Sequence, residues 1–252
     1  MQTILDVSHV TKTFRTPGGQ RLRAVDDVSL TVEAGECVGI VGESGSGKST
    51  LARIVTRLIR PDSGSVRLCG TELTEAKGSA LRAAYRDMKM IFQEPRSSFD
   101  PRLTLGESLD EALRIVMQDR SRRGAEAKEL FEKVGLNQQL LKLRPGQVSG
   151  GECQRAAIAR AIAQKPRLLI CDEATSSLDV SVQAQIIGLL NEIRRQDGLS
   201  LLFISHDLAL VSGFCGRTYV LHDGRIVEQG PTERIIYAPE QPYTKQLVNA
   251  VL

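Results

Sequence analysis

The 252-residue chain contains no run approaching the ~18 consecutive apolar residues that a membrane-spanning helix needs. Its start, Met1-Gln-Thr-Ile-Leu-Asp, has neither a basic segment nor a long apolar core, so no signal peptide is expected there. Strong charge of one sign is also missing. Thirty-three Lys and Arg stand against 30 Asp and Glu, a formal net charge of +3, which commits the chain neither to nucleic acid nor to anionic lipid. The five cysteines (Cys37, Cys69, Cys153, Cys171, Cys215) are scattered, odd in number and without a C-x-x-C. That excludes a disulfide framework and paired metal-ligand spacing, and points to free thiols in a reducing, cytoplasmic compartment. There is no internal repeat, low-complexity tract or disordered linker. Hydrophobic content of 41% and charge of 25% are those of a globular protein of one large domain, or one domain with an inserted lobe.

One dense motif is present. Gly42, Glu43, Ser44, Gly45, Ser46, Gly47, Lys48, Ser49 and Thr50 fit the phosphate-cradling pattern G-x-x-x-x-G-K-[ST]. The apolar run Cys37-Val-Gly-Ile-Val41 predicts a buried parallel strand entering the loop. Leu51, Ile54, Val55, Leu58 and Ile59 predict the apolar stripe of a helix leaving it. Glycines let successive N–H groups turn inward on a polyphosphate, and the helix start adds unpaired N–H donors and the positive end of its dipole. Lys48 supplies a mobile charge for the β- and γ-phosphates, and Ser49 a hydroxyl for Mg²⁺.

Further motifs follow along the chain. Strands are expected in 3–32, with a turn at Pro17-Gly18-Gly19, and again at Val66–Cys69 and Met88–Phe92. From about Glu94 to Gln164 the pattern turns helical and more polar. Strands return at Leu168–Cys171 and Leu199–Ile204, joined by a helix carrying Val182, Ile186, Leu189, Leu190 and Ile193. A hairpin turning at Asp223-Gly224 and a helical tail from Ile235, broken at Pro239 and Pro242, complete the pattern. The strand Leu168–Cys171 delivers Asp172 and Glu173 at its C-terminal end, the edge where open parallel sheets bind ligands. Asp172 suits a Mg²⁺-organising role through a water, and Glu173 a general base for an attacking water. Ser149-Gly150-Gly151 before an alanine-rich helix makes a second anion-binding helix start.

Ser149-Gly150-Gly151-x-x-Gln154 resembles the signature of ABC-type ATPases. The family's other marks occur in the family's order. They are the phosphate loop, Gln93 at the Q-loop, the signature, Asp172-Glu173, Ser176-Ser177-Leu178-Asp179 as the D-loop and His206 as the switch histidine. Phe14 stands where the family stacks an aromatic ring on adenine. Glu152, Ser177 and Val148 depart mildly from the common pattern, and none removes a catalytic group. The resemblance implies a single ABC ATPase domain over 1–252 of α/β class. It would have a P-loop NTPase core of mixed sheet and flanking helices, an N-terminal antiparallel β-subdomain, an inserted helical subdomain over about 94–164 and a short tail over about 231–252. It further implies ATP and Mg²⁺ held by two such chains, head to tail, with each phosphate loop facing the other chain's signature. Glu173 would be the base, His206 would hold the γ-phosphate, Gln93 would sense Mg²⁺ and water, and Asp179 would bridge the chains. Cys153 beside the signature predicts an ATPase sensitive to thiol reagents.

Phe92-Gln-Glu-Pro-Arg-Ser-Ser-Phe-Asp-Pro-Arg, Ala174-Thr-Ser-Ser-Leu-Asp-Val-Ser-Val-Gln and Pro239-Glu-Gln-Pro-Tyr-Thr-Lys-Gln-Leu are similar to the peptide/nickel importer branch. Many peptide-importing members carry a longer C-terminal extension, so the stop at Leu252 leans toward nickel or metal–metallophore subunits. The partners implied are a second ATPase chain (as a heterodimer, or a homodimer), two permease subunits docking near 94–120 and, indirectly, an extracytoplasmic binding protein, with no nucleic acid. The place implied is peripheral, on the cytoplasmic face of the inner membrane. Two other readings stay open at this point: a soluble ABC-type ATPase acting on DNA or ribosomes, and a small-molecule kinase, which leaves the signature, D-loop and His206 unexplained.

Overall fold

Strands that read apolar on both faces need a layer on each side. The computed structural model describes residues 2–16, 18–176 and 178–250. In it the strands β1 (Thr3–Arg15) and β2 (Arg21–Glu33) pair as a long hairpin, and β3 (Cys37–Val41) leads to α1 (Lys48–Val55). β4 (Ser63–Leu68), β5 (Thr71–Glu72), α2 (Gly78–Asp87) and β6 (Met88–Ile91) follow. Next comes a helical stretch of α3 (Leu105–Arg114), α4 (Arg120–Lys133) and α5 (Gly150–Ile162). β7 (Leu168–Asp172), α6 (Val180–Asp197), β8 (Ser200–Ser205) and α7 (Leu208–Ser212) return to the sheet. The hairpin β9 (Arg217–His222) and β10 (Arg225–Pro231) is followed by α8 (Thr232–Tyr237) and α9 (Pro242–Asn249).

Two sheets result. One is antiparallel, in the order β2-β1-β4-β5. The other runs β10-β9-β3-β8-β7-β6, parallel except for the edge strand β10. This is the expected α/β architecture of a mixed sheet with helices plus an antiparallel sheet. Alternation along the central strands builds two apolar layers. Leu168 and Ile170 of β7 and Leu202 and Ile204 of β8 join α1 and the antiparallel sheet. Leu169 and Cys171, with Leu201 and Phe203, join α3, α4, α5 and α6.

Local chemistry sets the helix ends. Thr104 with Glu107 and Ser149 with Glu152 form reciprocal capping boxes at the starts of α3 and α5, and Asp119 caps α4. Gly198 closes α6 at φ 66°, a left-handed conformation that suits glycine. Asp223 (φ 46°) and Gly224 (φ 78°) both turn left-handed between β9 and β10, as a two-residue hairpin turn requires.

Three features differ from the sequence reading. The helix α2 was not expected, although Leu81, Ala84, Tyr85 and Met88 fall at i, i+3, i+4 and i+7 as a short apolar stripe; no side-chain cap marks its start. The tail helices begin earlier, at Thr232, and Pro242 opens α9 rather than breaking it, since the first turn needs no N–H there. The first two strands extend over 13 residues each, through polar positions and register shifts that mask alternation. Of the expected turn and D-loop residues, Pro17 and Ser177 lie outside the described residues, as does Leu252. Among the described residues no helix is long and apolar enough to cross a membrane.

Phe131 of α4 is 1% exposed in the helical layer. Phe131→Ala is expected to cost about 3–5 kcal/mol through lost burial and a residual cavity, read as a lower denaturant midpoint in equilibrium unfolding.

Candidate functional site

The site is assembled by strand register. In the parallel ladder Val41 pairs with Ser205, Asp172 with Ile204, and Ile91 with Cys171. The residues that follow these strand ends therefore emerge at one edge: the phosphate loop, Glu173, His206 and Gln93.

The loop is held in a shape only glycine permits. Gly42 (φ 156°) ends β3, and a Cβ there would lie 2.1 Å from the Leu221 carbonyl oxygen. Gly47 (φ 105°) caps α1, and its Cβ would lie 2.2 Å from the Ala24 carbonyl oxygen. The β9–β10 turn supports the loop from outside, where the Gly224 N–H donates to the Ser46 carbonyl at 3.0 Å. Glu43, Ser44 and Gly45 are exposed at the tip.

Lys48 is buried, and its ammonium donates to the carbonyls of Gly42 and Glu43, both at 2.7 Å. Burial pushes its pKa below the ordinary lysine range, opposed by the carboxylates of Glu173, Asp172 and Glu43. The Ser49 hydroxyl donates to Asp172 Oδ1 at 3.0 Å. Asp172 is itself buried, and burial raises its pKa against that hydrogen bond. A buried carboxylate beside a serine hydroxyl, at the start of a helix, fits a hard divalent cation with oxygen ligands.

Glu173 is held at φ 48°, rare for a residue with a Cβ, with its N–H on the Ile204 carbonyl at 3.0 Å. Its Oε2 accepts from Gln93 Nε2 at 3.2 Å and lies 3.5 Å from His206 Nδ1. The structure thus brings Lys48, Ser49, Asp172, Glu173, Gln93 and His206 together. Two further side chains join them, Ser176 of the D-loop and Tyr243 of the tail segment. Ser176 accepts from Gln93 at 3.4 Å and donates to the Glu173 carbonyl at 3.0 Å. Tyr243 accepts the Glu43 N–H at 3.0 Å. Both stand in segments quoted above, but the contact of Tyr243 with Glu43 spans 200 positions and no local pattern marks it.

The signature lies apart from this cluster. Ser149 and Gly150 are exposed at the start of α5, and no hydrogen bond among the described residues joins 148–154 to the phosphate loop. Gly151 has no room for a side chain, since a Cβ would sit 2.8 Å from Val182 Cγ1. Asp179 is exposed at the start of α6 beside Val180. Phe14 is exposed on β1, opposite Leu22. Gln154 departs from its expected place among nucleotide-contacting residues: it is fully buried in α5, beneath the signature rather than on its open edge. Cys153 is fully buried, and burial pushes its thiol pKa up, which weighs against the expected thiol sensitivity.

Comparison with known proteins gives a consistent picture. A sequence-family profile described as ABC transporter matches residues 25–176. The chain is 48% identical over 230 residues to a probable peptide ABC transporter ATP-binding protein, y4tS, of Sinorhizobium fredii, covering 91% of this chain and 65% of that protein. It is 45% identical over 232 residues to the oligopeptide transport ATP-binding protein OppF of Escherichia coli, covering 91% and 70%. The chain thus spans about two thirds of these relatives' length. A solved dimer of the ATP-binding cassette MJ0796, in a post-hydrolysis state with ADP and phosphate, superposes with a TM-score of 0.83 at 30% identity, covering 91% of this chain and 99% of that one.

The raised pKa of Asp172 has a definite sign in stability. As pH rises from the unfolded carboxylate range through the folded pKa, ionisation costs the fold, and the penalty persists above it. Asp172→Asn without nucleotide is expected to melt higher than the wild type at neutral pH and to show a flatter stability profile as pH rises from the ordinary aspartate range of about pH 4. Thermal melts from there to neutral pH check it.

Proposed function

The chain belongs to the ABC transporter family of ATP-binding cassettes, and from that premise we propose that it is the ATP-hydrolysing subunit of an importer that takes up peptides. The observation that carries this reading is the convergence at one sheet edge of Lys48, the Ser49–Asp172 contact at 3.0 Å, and Glu173 between Gln93 at 3.2 Å and His206 at 3.5 Å.

In this reading the loop 42–50 receives the phosphates of ATP on its N–H groups, and Lys48 exchanges the carbonyls of Gly42 and Glu43 for phosphate oxygens. Ser49, Gln93 and, through a water, Asp172 would hold Mg²⁺. When bound, the ion neutralises phosphate charge. Glu173 takes the proton of the attacking water. Gln93 and His206 restrict its carboxylate, and His206 faces the γ-phosphate, so that ATP and water yield ADP and phosphate. Phe14 offers its exposed ring to adenine.

The separation of Ser149-Gly150-Gly151 from the loop supports a composite site. Each nucleotide is closed by the signature and Asp179 of a second ATPase chain, either a copy or a related subunit. Electrostatic stabilisation supplied by both chains makes hydrolysis depend on closure. The dimeric state of the MJ0796 cassette supports that assembly. The names of both relatives favour peptides over nickel as cargo. With those names we place the chain on the cytoplasmic face of the inner membrane, under two permease subunits served by an extracytoplasmic binding protein. The helical layer of α3, α4 and α5 is the lobe that meets the permease.

Glu173→Gln is expected to lower phosphate release by about 10²–10⁴-fold while keeping ATP binding. It should also accumulate an ATP-held dimer on size-exclusion chromatography. Lys48→Ala is expected to lose nucleotide binding itself, seen in fluorescent-nucleotide titration. Wild-type turnover in the first variant, or wild-type affinity in the second, sinks the site assignment.

A further inference from the structure

The peptide between Gly42 and Glu43 is clamped at both ends. Its carbonyl oxygen accepts from Lys48 at 2.7 Å, and its N–H donates to the Tyr243 hydroxyl at 3.0 Å. In the reaction proposed above Lys48 must leave that carbonyl for phosphate oxygens. Tyr243 then remains as the hold on this peptide, at a glycine (φ 156°) whose freedom permits other orientations.

The tyrosine is itself fixed. Its ring stacks on His222 at the end of β9, with centroids 3.8 Å apart and planes at 25°. The helix that carries it is pinned at its start, where Glu228 accepts the N–H groups of Glu240 at 2.9 Å and Gln241 at 3.0 Å. Leu247 and Val248 anchor its other end in the core. A hydroxyl held this firmly sets the direction of a peptide plane, and through it the inward turn of the N–H groups that follow.

We propose that Tyr243 is a positioning residue of the phosphate loop: the tail helix α9 fixes the Gly42–Glu43 peptide so that the loop stays preformed for nucleotide when Lys48 is drawn away. The proposal rests on the loop being the ATP site. Preorganisation of this kind lowers the cost of binding without touching the reacting atoms.

The test compares the purified full chain with Tyr243→Phe, His222→Ala and Lys48→Ala, measuring ATP turnover against ATP concentration, fluorescent ATP-analogue affinity and nucleotide-free melting. Tyr243→Phe keeps the stacked ring and removes the acceptor. The expected result is a KM for ATP and an analogue Kd raised about threefold to tenfold, the effect of one lost hydrogen bond. Its kcat at saturating ATP should stay within about twofold, and its melting temperature should be unchanged. His222→Ala, which loosens the ring, should move KM in the same direction and less. If Tyr243→Phe has wild-type KM and Kd while Lys48→Ala loses binding, the positioning role is overturned and the ATP site stands. A fall in kcat or in melting temperature with KM unchanged overturns it equally. If Lys48→Ala binds as the wild type does, the ATP-site reading falls and the proposal with it.

Discussion

Parallel pairing of β3 with β8 and of β8 with β7 is the constraint on which the site depends. The register sets Val41 beside Ser205 and Ile204 beside Asp172, so consecutive residues leave three strands at nearly one level. Because side chains alternate, slipping any of these strands by one residue would exchange the two apolar layers and turn Asp172 away from Ser49. Residues buried on both faces prevent that slip: Leu168 through Cys171 and Leu201 through Ile204 are all fully buried. The core therefore does more than stabilise. It fixes the 3.0 Å contact between a loop serine and a strand carboxylate that lie 123 positions apart.

From that edge a continuous set of contacts runs to the signature. Gln93 bonds to Glu173 and Ser176. Three residues on, the Arg96 guanidinium donates to the Val148 carbonyl at 2.8 Å, immediately before Ser149. Arg160 of α5 donates to the Ser98 carbonyl and hydroxyl, both at 2.8 Å, and stacks over Phe99 at 4.0 Å. The segment after Gln93 is thus tied to the signature helix by two arginines, one of them largely buried and hydrogen-bonded along its guanidinium. Arginine suits this task because its planar fork satisfies several carbonyls at once, where lysine offers a point charge. In the proposed dimer the Gln93 and the Ser149 of one chain belong to different composite sites, so these bonds would be a physical route between the two sites.

What was legible in the sequence follows the same physics. The central strands showed as short apolar runs because both their faces are covered, and the loop showed because close backbone approach at Gly42 and Gly47 admits no other residue. Asp172 and Glu173 were legible as strand-end carboxylates, and the hairpin at Asp223-Gly224 as two left-handed positions. The helix α2 was not, because its stripe of Leu81, Ala84 and Tyr85 is short and no capping side chain marks its start. Tyr243 was not, because its partner Glu43 is reached only once the tail has folded back on β9 and β10. Gln154 was misplaced because a motif specifies residue order and not side-chain depth, and the helix turns this residue inward while Ser149 faces out. Cys153 is likewise turned inward by the helix.

The buried charges show what the fold gives up to form such a site. Lys48 and Asp172 are both withdrawn from water, and burial shifts their pKa values in opposite directions, each toward its neutral form. Nearby charges and hydrogen bonds offset only part of this: the Glu173, Asp172 and Glu43 carboxylates and two loop carbonyls for Lys48, and Ser49, Arg53 and Lys48 for Asp172. A ligand bringing polyphosphate for the lysine and a divalent cation for the carboxylate satisfies both at once. Stability sacrificed in the free fold thereby returns as binding energy, and nucleotide should protect the fold by mass action. The same reasoning bears on Glu173, kept at φ 48° with two polar side chains at its carboxylate. A left-handed Glu173 and two buried charges thus meet at one sheet edge, where the charges of substrate and transition state would act on them.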